Sequence, residues 1–328
     1  MADGILIAKF MPPNDGHEML LDFASRYVER LKVLLSSSED DPIPADRRLK
    51  WVRRLFGSFC QSEVVELDTS EDTAAAWEEH IRQLNGWNPE YVFAPSSLGG
   101  TLAHRIGAQR VTVDPTLDSA ELISTSIRQN PSVHWHRLSP TVRRELLKRV
   151  CVFGPESTGK STLCEKLARH YRTVTVPEYS RTYLEDKDGE YELSDVVTVA
   201  RGQRAAEFAY GARAKRLLLC DTDLLTLKIW SDWLFGECDD WIEQRVDRER
   251  YDLYLLCCAD VPWEEDEVRY LPNDRENFEQ KCEEVLRDHD CCYLKISGDW
   301  EKRFESAVAA IDELLVEPWG FTSEDSGL

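Results

Sequence analysis

The sequence predicts an α/β protein built from two doubly wound parallel-sheet domains in tandem. Three observations carry this. The chain has 328 residues, too many for one small core and right for about two domains. Short β-rich apolar runs alternate with helical or charged stretches, the pattern that builds parallel sheets. The alternation starts afresh after "PSVHWHRLSPTVRRELLK", residues 131–148, where two prolines mark the connection between the domains.

In order, Ile5–Phe10 reads as a buried strand. Leu20, Phe23, Ala24, Tyr27, Val28, Leu31 and Leu35 keep a three-four spacing and predict one helix over Met19–Leu35. "EYVFAP" and "QRVTVD" are two further short strands. Residues 1–130 thus form the first domain and 131–148 the connection. The second domain, 149–315, opens on the strand "RVCVFG" and continues through "TVTVPE", "RLLLCD", "DLYLLCC" and "CCYLKISG". Glu301–Leu315 is its closing helix, and residues 316–328 are a frayed tail.

With 42% hydrophobic and 31% charged residues the composition is that of a globular domain protein. A formal charge of −21 argues against a nucleic-acid surface and against anionic lipid. It does not forbid an anionic small molecule, because a single loop and a helix N-terminus bind phosphate locally. No apolar run reaches the 18 or so residues of a membrane span, and "MADGILIAKF" lacks the basic start of a secretory signal. Ten cysteines show no CxxC pair and no metal-ligand spacing, so a reduced, cytoplasmic protein is expected. The partners expected are small molecules; a homo-oligomer is left open.

"GPESTGKS", Gly154–Ser161, matches GxxxxGK[ST] in full, after an apolar strand and before the helical run "TLCEKLARHY". Gly154 and Gly159 let the backbone curl its N–H groups onto phosphate oxygens, and the following helix adds its positive end. Lys160 brings charge to the outer phosphates, and Ser161 offers a hydroxyl to Mg²⁺. Past the next strand stands Glu178, placed to accept a proton from a substrate hydroxyl, or else a solvated acid or partner of Arg181. "LLLCDTD" ends a buried strand in Asp221 and Asp223, either a magnesium site or a turn and helix cap. Residues 262–281 read as a lid bringing Arg269 or Arg275 to the transferring phosphate, or as solvated helices.

At the front, "KFMPPNDGHEMLL", Lys9–Leu21, differs by one residue from a nucleotidyl-transfer loop of the form His or Thr, any residue, Gly, His; Asn14 stands first. The whole chain resembles the NadR-type bifunctional proteins, which join a nicotinamide-mononucleotide adenylyltransferase to a ribosylnicotinamide kinase. "LKRVCVFGPESTGKSTL", "VPEYSRTYLE", "CDTDLLTLKIWSDWLFGEC" and "PWEEDEVRYLPNDRENF" carry the resemblance in the second half, in order, from Arg149 to about Leu315. It implies a nucleotidyltransferase-like Rossmann-type domain followed by a P-loop kinase domain that phosphorylates nicotinamide riboside with ATP and Mg²⁺. Gly154, Pro155, Glu156, Ser157, Thr158, Gly159, Lys160, Ser161, Thr162 and Arg269 would then bind ATP, with Ser161 and Asp221 on the metal. Lys160, Glu178 and Asp223 would be catalytic, and Glu178, Tyr179, Arg181, Asp221 and Asp223 would lie by the riboside.

In the front domain the resemblance gives nucleotide contacts to Gly16, His17, Thr125 and Arg128. Three departures stand against full activity there. Asn14 replaces the first His, Ile123 occupies the serine position of the later Ser-x-Thr-x-x-Arg signature, and Leu98 and Gly99 stand where the family carries an acidic and an aromatic residue. A kinase with a weakened or lost adenylyltransferase is therefore expected; a fully bifunctional enzyme and a non-catalytic nucleotide sensor are the alternatives. Members that also repress transcription carry a helix-turn-helix ahead of this domain, which the few residues before the first strand lead us not to expect.

Overall fold

The structure, a computed structural model, describes residues 2–57, 61–66, 73–113, 120–187, 191–248, 251–265 and 273–316. The chain divides into two compact units between Leu146 and Leu147.

The first unit runs β1 (Asp3–Ala8), α1 (Asp15–Tyr27), β2 (Arg30–Ser37), α2 (Ala45–Phe56), β3 (Gln61–Glu66), α3 (Thr73–Gln83), β4 (Tyr91–Phe93), α4 (Ser96–Ile106), β5 (Gln109–Arg110), α5 (Ala120–Gln129) and α6 (Pro140–Glu145). Its sheet is parallel, in the order β3-β2-β1-β4-β5. β1 lies in the middle and is buried along its whole length, which is why Ile5–Ala8 reads as an unbroken apolar run.

Two sequence expectations need correction here. Helix α1 stops at Tyr27, Val28 is extended, and Arg30–Ser37 forms β2, not the last turns of a helix. Leu31 and Leu35 happen to continue the helical spacing. However, Leu31, Val33, Leu34 and Leu35 are all buried, as a strand covered on both faces requires and a one-sided helix does not. The stretch 131–146 is also no free connection. Trp135, Leu138 and Val142 are buried, Ser139 caps α6 through the Val142 N–H at 3.4 Å, and Pro140 sits in the helix's first turn. The division between units falls after this segment.

The second unit runs β6 (Lys148–Phe153), α7 (Lys160–Tyr171), β7 (Val174–Val176), α8 (Tyr179–Asp186), α9 (Leu193–Gly211), β8 (Leu217–Asp221), α10 (Leu224–Phe235), α11 (Asp240–Val246), β9 (Leu253–Cys257), α12 (Arg275–Asp288), β10 (Tyr293–Ile296) and α13 (Trp300–Val316). All five strands fall where the sequence places them, and α13 is the expected closing helix. The parallel order is β10-β9-β6-β8-β7, with Val152 of β6 level with Asp221 of β8 and Leu255 of β9. The carboxyl ends of β6 and β8 therefore lie side by side, at the point where the winding of the sheet reverses. That is where open α/β sheets bind ligands. Helices α7 and α13 cover one face, packing Leu163, Leu167, Ala307 and Ile311 onto Val150, Val152 and Leu255.

Among the described residues no helix is long and apolar enough to cross a membrane. Their nine cysteines are all free thiols.

Candidate active site

Strand β6 ends at Phe153 and the loop turns at once. Gly154 has φ +126°, and a Cβ there would lie 2.7 Å from the Cys257 carbonyl oxygen, so only glycine fits. Gly159, at φ +79°, precedes the first residue of α7, Lys160. The loop between is braced by its own side chains and by two arginines from later elements. Thr158 Oγ1 and Lys160 Nζ both donate to the Pro155 carbonyl, at 2.8 and 2.7 Å. Arg275 Nη1 donates to the Ser157 carbonyl at 3.2 Å, and the fully buried Arg303 to that of Thr158 at 3.2 Å. Four side chains thus take up carbonyls of the loop, the side of the backbone a phosphate cannot use.

In front of the loop lies a cavity of about 620 Å³ onto which Lys160, Ser161, Glu178, Arg181 and Asp221 all face. Its volume suits a ligand of nucleotide or nucleoside size. Asp221, at the end of β8, is buried, and burial together with the nearby Glu178 carboxylate pushes its pKa up to about 6; Lys160, the Ser161 hydroxyl and Arg181 pull the other way. Its Oδ1 has no hydrogen-bond partner in the structure. A buried carboxylate oxygen with an open coordination position, beside a hydroxyl, is the donor set of a hard cation such as Mg²⁺, which takes few ligands from protein and the rest from water and phosphate. No cluster of three or more His, Cys, Asp or Glu side chains that could hold a metal occurs among the described residues. Part of the lining is apolar: Leu227, Trp230 and Leu234 come from α10, and Trp230 packs on Phe278, ring centroids 4.5 Å apart.

The other expected residues divide. Glu178 stands at the start of α8, accepts the Ser180 hydroxyl at 2.7 Å and faces the cavity. Arg181 also faces it and forms an ion pair with Glu185 at 4.0 Å, one turn along the helix. Asp223, in contrast, does not line the cavity. It is buried, caps α10 through the Thr226 N–H at 2.9 Å and hydroxyl at 3.0 Å, and accepts the Tyr254 hydroxyl at 2.9 Å. With its oxygens engaged in this way, the cap reading holds for Asp223 and the open site belongs to Asp221. Tyr179 turns away as well. Its ring lies on Gly202 of α9, where a Cβ would come within 2.1 Å of it, and its N–H donates to Gln203 Oε1 at 2.9 Å. Gly154 and Pro155 shape the loop without lining the cavity, whereas Glu156, Ser157, Thr158, Gly159 and Thr162 line it. Arg275 binds the loop's backbone, and Arg269 lies outside the described residues. Two residues escaped the sequence reading: Arg303, because a charge inside an amphipathic helix gives no cue that it is buried, and Trp300, which lines the cavity beside Gly159.

In the first unit, Asn14 is fully buried and caps α1, its Oδ1 accepting the N–H groups of Gly16 at 3.1 Å and His17 at 3.3 Å. Its Nδ2 donates to Ser124 Oγ at 2.9 Å and the Ala120 carbonyl at 3.0 Å. Both amide protons are thus spent on the protein. Ser124, one position past the expected serine site at Ile123, is the residue that answers Asn14; Ile123 itself is buried. His17 lines a small cavity at the ends of β1 and β4, and burial holds its pKa down to about 3, so the ring is neutral. Neither ring nitrogen has a hydrogen-bond partner in the structure. Arg128 donates to the Met11 carbonyl and, at 3.2 Å, to Thr125 Oγ1, which ties α5 to the loop. Gly16 lies close against Ala120, whose Cβ would be 3.1 Å from a side chain there. Leu98 packs against the core that the sheet shares with α3 and α4, and Gly99 lies under Arg110.

Comparison with known proteins agrees with both halves. A family described as AAA domain matches residues 149–303. The trifunctional NAD biosynthesis/regulator protein NadR of Escherichia coli (strain K12) is 25% identical over 345 residues, covering 96% of this chain and 83% of the relative. Its Salmonella typhimurium counterpart is 25% identical over 346 residues with the same coverage. Among solved structures, NadR protein in complex with NR matches with a TM-score of 0.68 at 21% identity, covering 95% of each chain. NadR protein in complex with NAD and AMP-PNP matches with a TM-score of 0.66 at 21% identity, covering 95% of this chain and 96% of that one. Along nearly its whole length the chain is similar in sequence to the NadR proteins, and it shares the fold of their solved structures.

Proposed function

We propose that the second unit transfers the terminal phosphate of ATP to nicotinamide riboside, and that the first unit keeps a nucleotide pocket but makes NAD slowly. The observation that carries the first part is the meeting of Lys160, Ser161, Asp221, Glu178 and Arg181 on one cavity in front of the phosphate loop. A site for nucleotide binding alone has no use for a carboxylate such as Glu178 at the acceptor position. The relatives' names, which give NAD biosynthesis, and the solved NadR complexes, which give NR, NAD and AMP-PNP as ligands, support this choice of substrates.

The chemistry follows from placement. Loop N–H groups and the start of α7 hold the triphosphate. Lys160, resting on the Pro155 carbonyl at 2.7 Å, exchanges that contact for the outer phosphates as negative charge builds on them. Glu178 accepts the proton of the attacking hydroxyl while the new P–O bond forms, and the bond to the β-phosphate breaks with its electron pair leaving on ADP. Ser161 and Asp221 would hold Mg²⁺, which when bound neutralises phosphate charge. Trp230 offers a face to a flat ring, and nicotinamide riboside presents a cationic one.

The second part rests on Asn14. With both amide protons given to Ala120 and Ser124, it has none to offer a phosphate, where a histidine would offer a ring N–H or a cation. His17, with two unpartnered ring nitrogens on the cavity, favours retained nucleotide binding. Incubating the full chain with Mg²⁺·ATP and a panel of nucleosides, and resolving the monophosphates, tests the kinase assignment. Nicotinamide mononucleotide should dominate; phosphorylation of other nucleosides alone would replace the substrate, and no monophosphate at all would end the proposal.

A further inference from the structure

We infer that Trp300 is the platform on which the base of the phosphate donor stacks, a role that rests on reading Gly154–Ser161 as the triphosphate loop. Trp300 opens α13 and is 46% exposed, an unusual state for an indole that no core demands, yet it lines the cavity. Its six-membered ring lies directly on the loop. A Cβ built on Gly159 would stand 2.3 Å from Trp300 Cη2 and 2.4 Å from Cζ3, so the close approach exists only because Gly159 has no side chain.

The ring is also held in register with the loop. The turn before it is pinned by Gly298 N–H on Asp260 Oδ2 at 2.6 Å, and the helix start by Lys302 N–H on Asp299 Oδ1 at 2.9 Å. Arg303, one turn into α13 and buried, donates to the carbonyls of Gly298 at 2.9 Å, Cys258 at 2.9 Å and Thr158 at 3.2 Å. One guanidinium therefore fastens the turn that carries Trp300 to the phosphate loop itself. A rigid aromatic face, wet on one side and abutting a triphosphate loop, fits one class of ligand: a flat heteroaromatic base joined through a sugar to a triphosphate. The acceptor nucleoside is left to other residues of the same lining, Glu178, Arg181 and Trp230.

Every base has a π-face that can stack on an aromatic side chain, and the larger face of a purine overlaps an indole more than that of a pyrimidine. The test is equilibrium binding to the full chain without any acceptor, using ATP, CTP and inorganic triphosphate in wild type, Trp300→Ala and Trp300→Phe. We expect Trp300→Ala to weaken ATP about tenfold, to weaken CTP less, and to leave inorganic triphosphate unchanged. Trp300→Phe should stay within about threefold of wild type for ATP, since a smaller ring still stacks. Unchanged ATP affinity in Trp300→Ala would overturn the inference. So would an equal loss for ATP and base-free triphosphate, which would make Trp300 a brace of the loop. Because no acceptor is present, failure of the nicotinamide riboside assignment would leave these affinities untouched and would show only in the product assay.

Discussion

Replacing Asp221 by asparagine should make the protein more stable and the kinase inactive. The structure holds this carboxylate buried at the end of β8 with one oxygen unpartnered, and its pKa is raised from 3.8 to about 6. That displacement means the ionised group costs the folded state about 3 kcal/mol at pH 8, at about 1.4 kcal/mol per pH unit. Asparagine keeps the shape and removes the charge, though its amide protons need partners, so a net gain of about 1–2 kcal/mol is expected. The sign with pH is fixed. As pH rises above 4 the unfolded carboxyl ionises first and the folded one lags to about 6, so wild type loses stability relative to the mutant across that window. The mutant's relative stability should therefore rise by about 2–3 kcal/mol from pH 4, where the charge costs almost nothing and the amide's own cost leaves the mutant the less stable protein, to above pH 6. Urea unfolding of both proteins in EDTA measures it, and adding Mg²⁺·ATP should stabilise wild type far more than Asp221→Asn. A mutant less stable than wild type at pH 8, or a gap independent of pH, would show that the carboxylate is satisfied within the fold and is no open ligand position.

Three further outcomes follow from the same geometry. Lys160→Ala should fold normally and lower kcat by about 10²- to 10³-fold or more, because the ammonium acts on charge that develops during transfer; phosphorylation near the wild-type rate would move the reaction away from this loop. Glu178→Gln should lower kcat by about 10²-fold with little change in ATP affinity, and a normal kcat would leave Glu178 as the acceptor of the Ser180 hydroxyl and nothing more. His17, neutral in the fold with its pKa held down to about 3, stays unprotonated while the unfolded ring takes a proton below about 6.5. Its contribution is therefore present above pH 6.5 and lost as pH falls toward 3, by about 2–3 kcal/mol at pH 4.5. His17→Gln should flatten the pH dependence of unfolding in that range, and an unchanged slope would refute it.

The second unit was open to reading from the sequence because its signals are local. A phosphate loop needs glycine at fixed positions, and Gly154 and Gly159 occupy backbone conformations that other residues avoid. Each of its strands is apolar, short and bounded by a turn. The first unit is read less well for a physical reason. A strand buried on both faces has no period of its own, so β2 could be taken as the tail of α1 until its neighbours in the sheet are known. Which of two acids faces a ligand is equally non-local. Thr222 at φ +69° lies between Asp221 and Asp223, and only one of the two acids faces the cavity. The partners of Asn14 lie 106 and 110 residues away in the chain, so nothing near it shows that its amide is already satisfied. Arg303 and Trp300 share that difficulty, since both act on a loop more than a hundred residues earlier.

The measurement that bears most directly on the account is a time course of both products in one reaction. Full-length protein is given nicotinamide riboside and Mg²⁺·ATP, and nicotinamide mononucleotide, NAD and pyrophosphate are followed together in wild type and Asn14→His. The account predicts that wild type accumulates nicotinamide mononucleotide while NAD and pyrophosphate lag by about 10²-fold or more, and that Asn14→His narrows the lag. Wild-type NAD keeping pace with nicotinamide mononucleotide would contradict it and make Asn14 a competent member of a second active site.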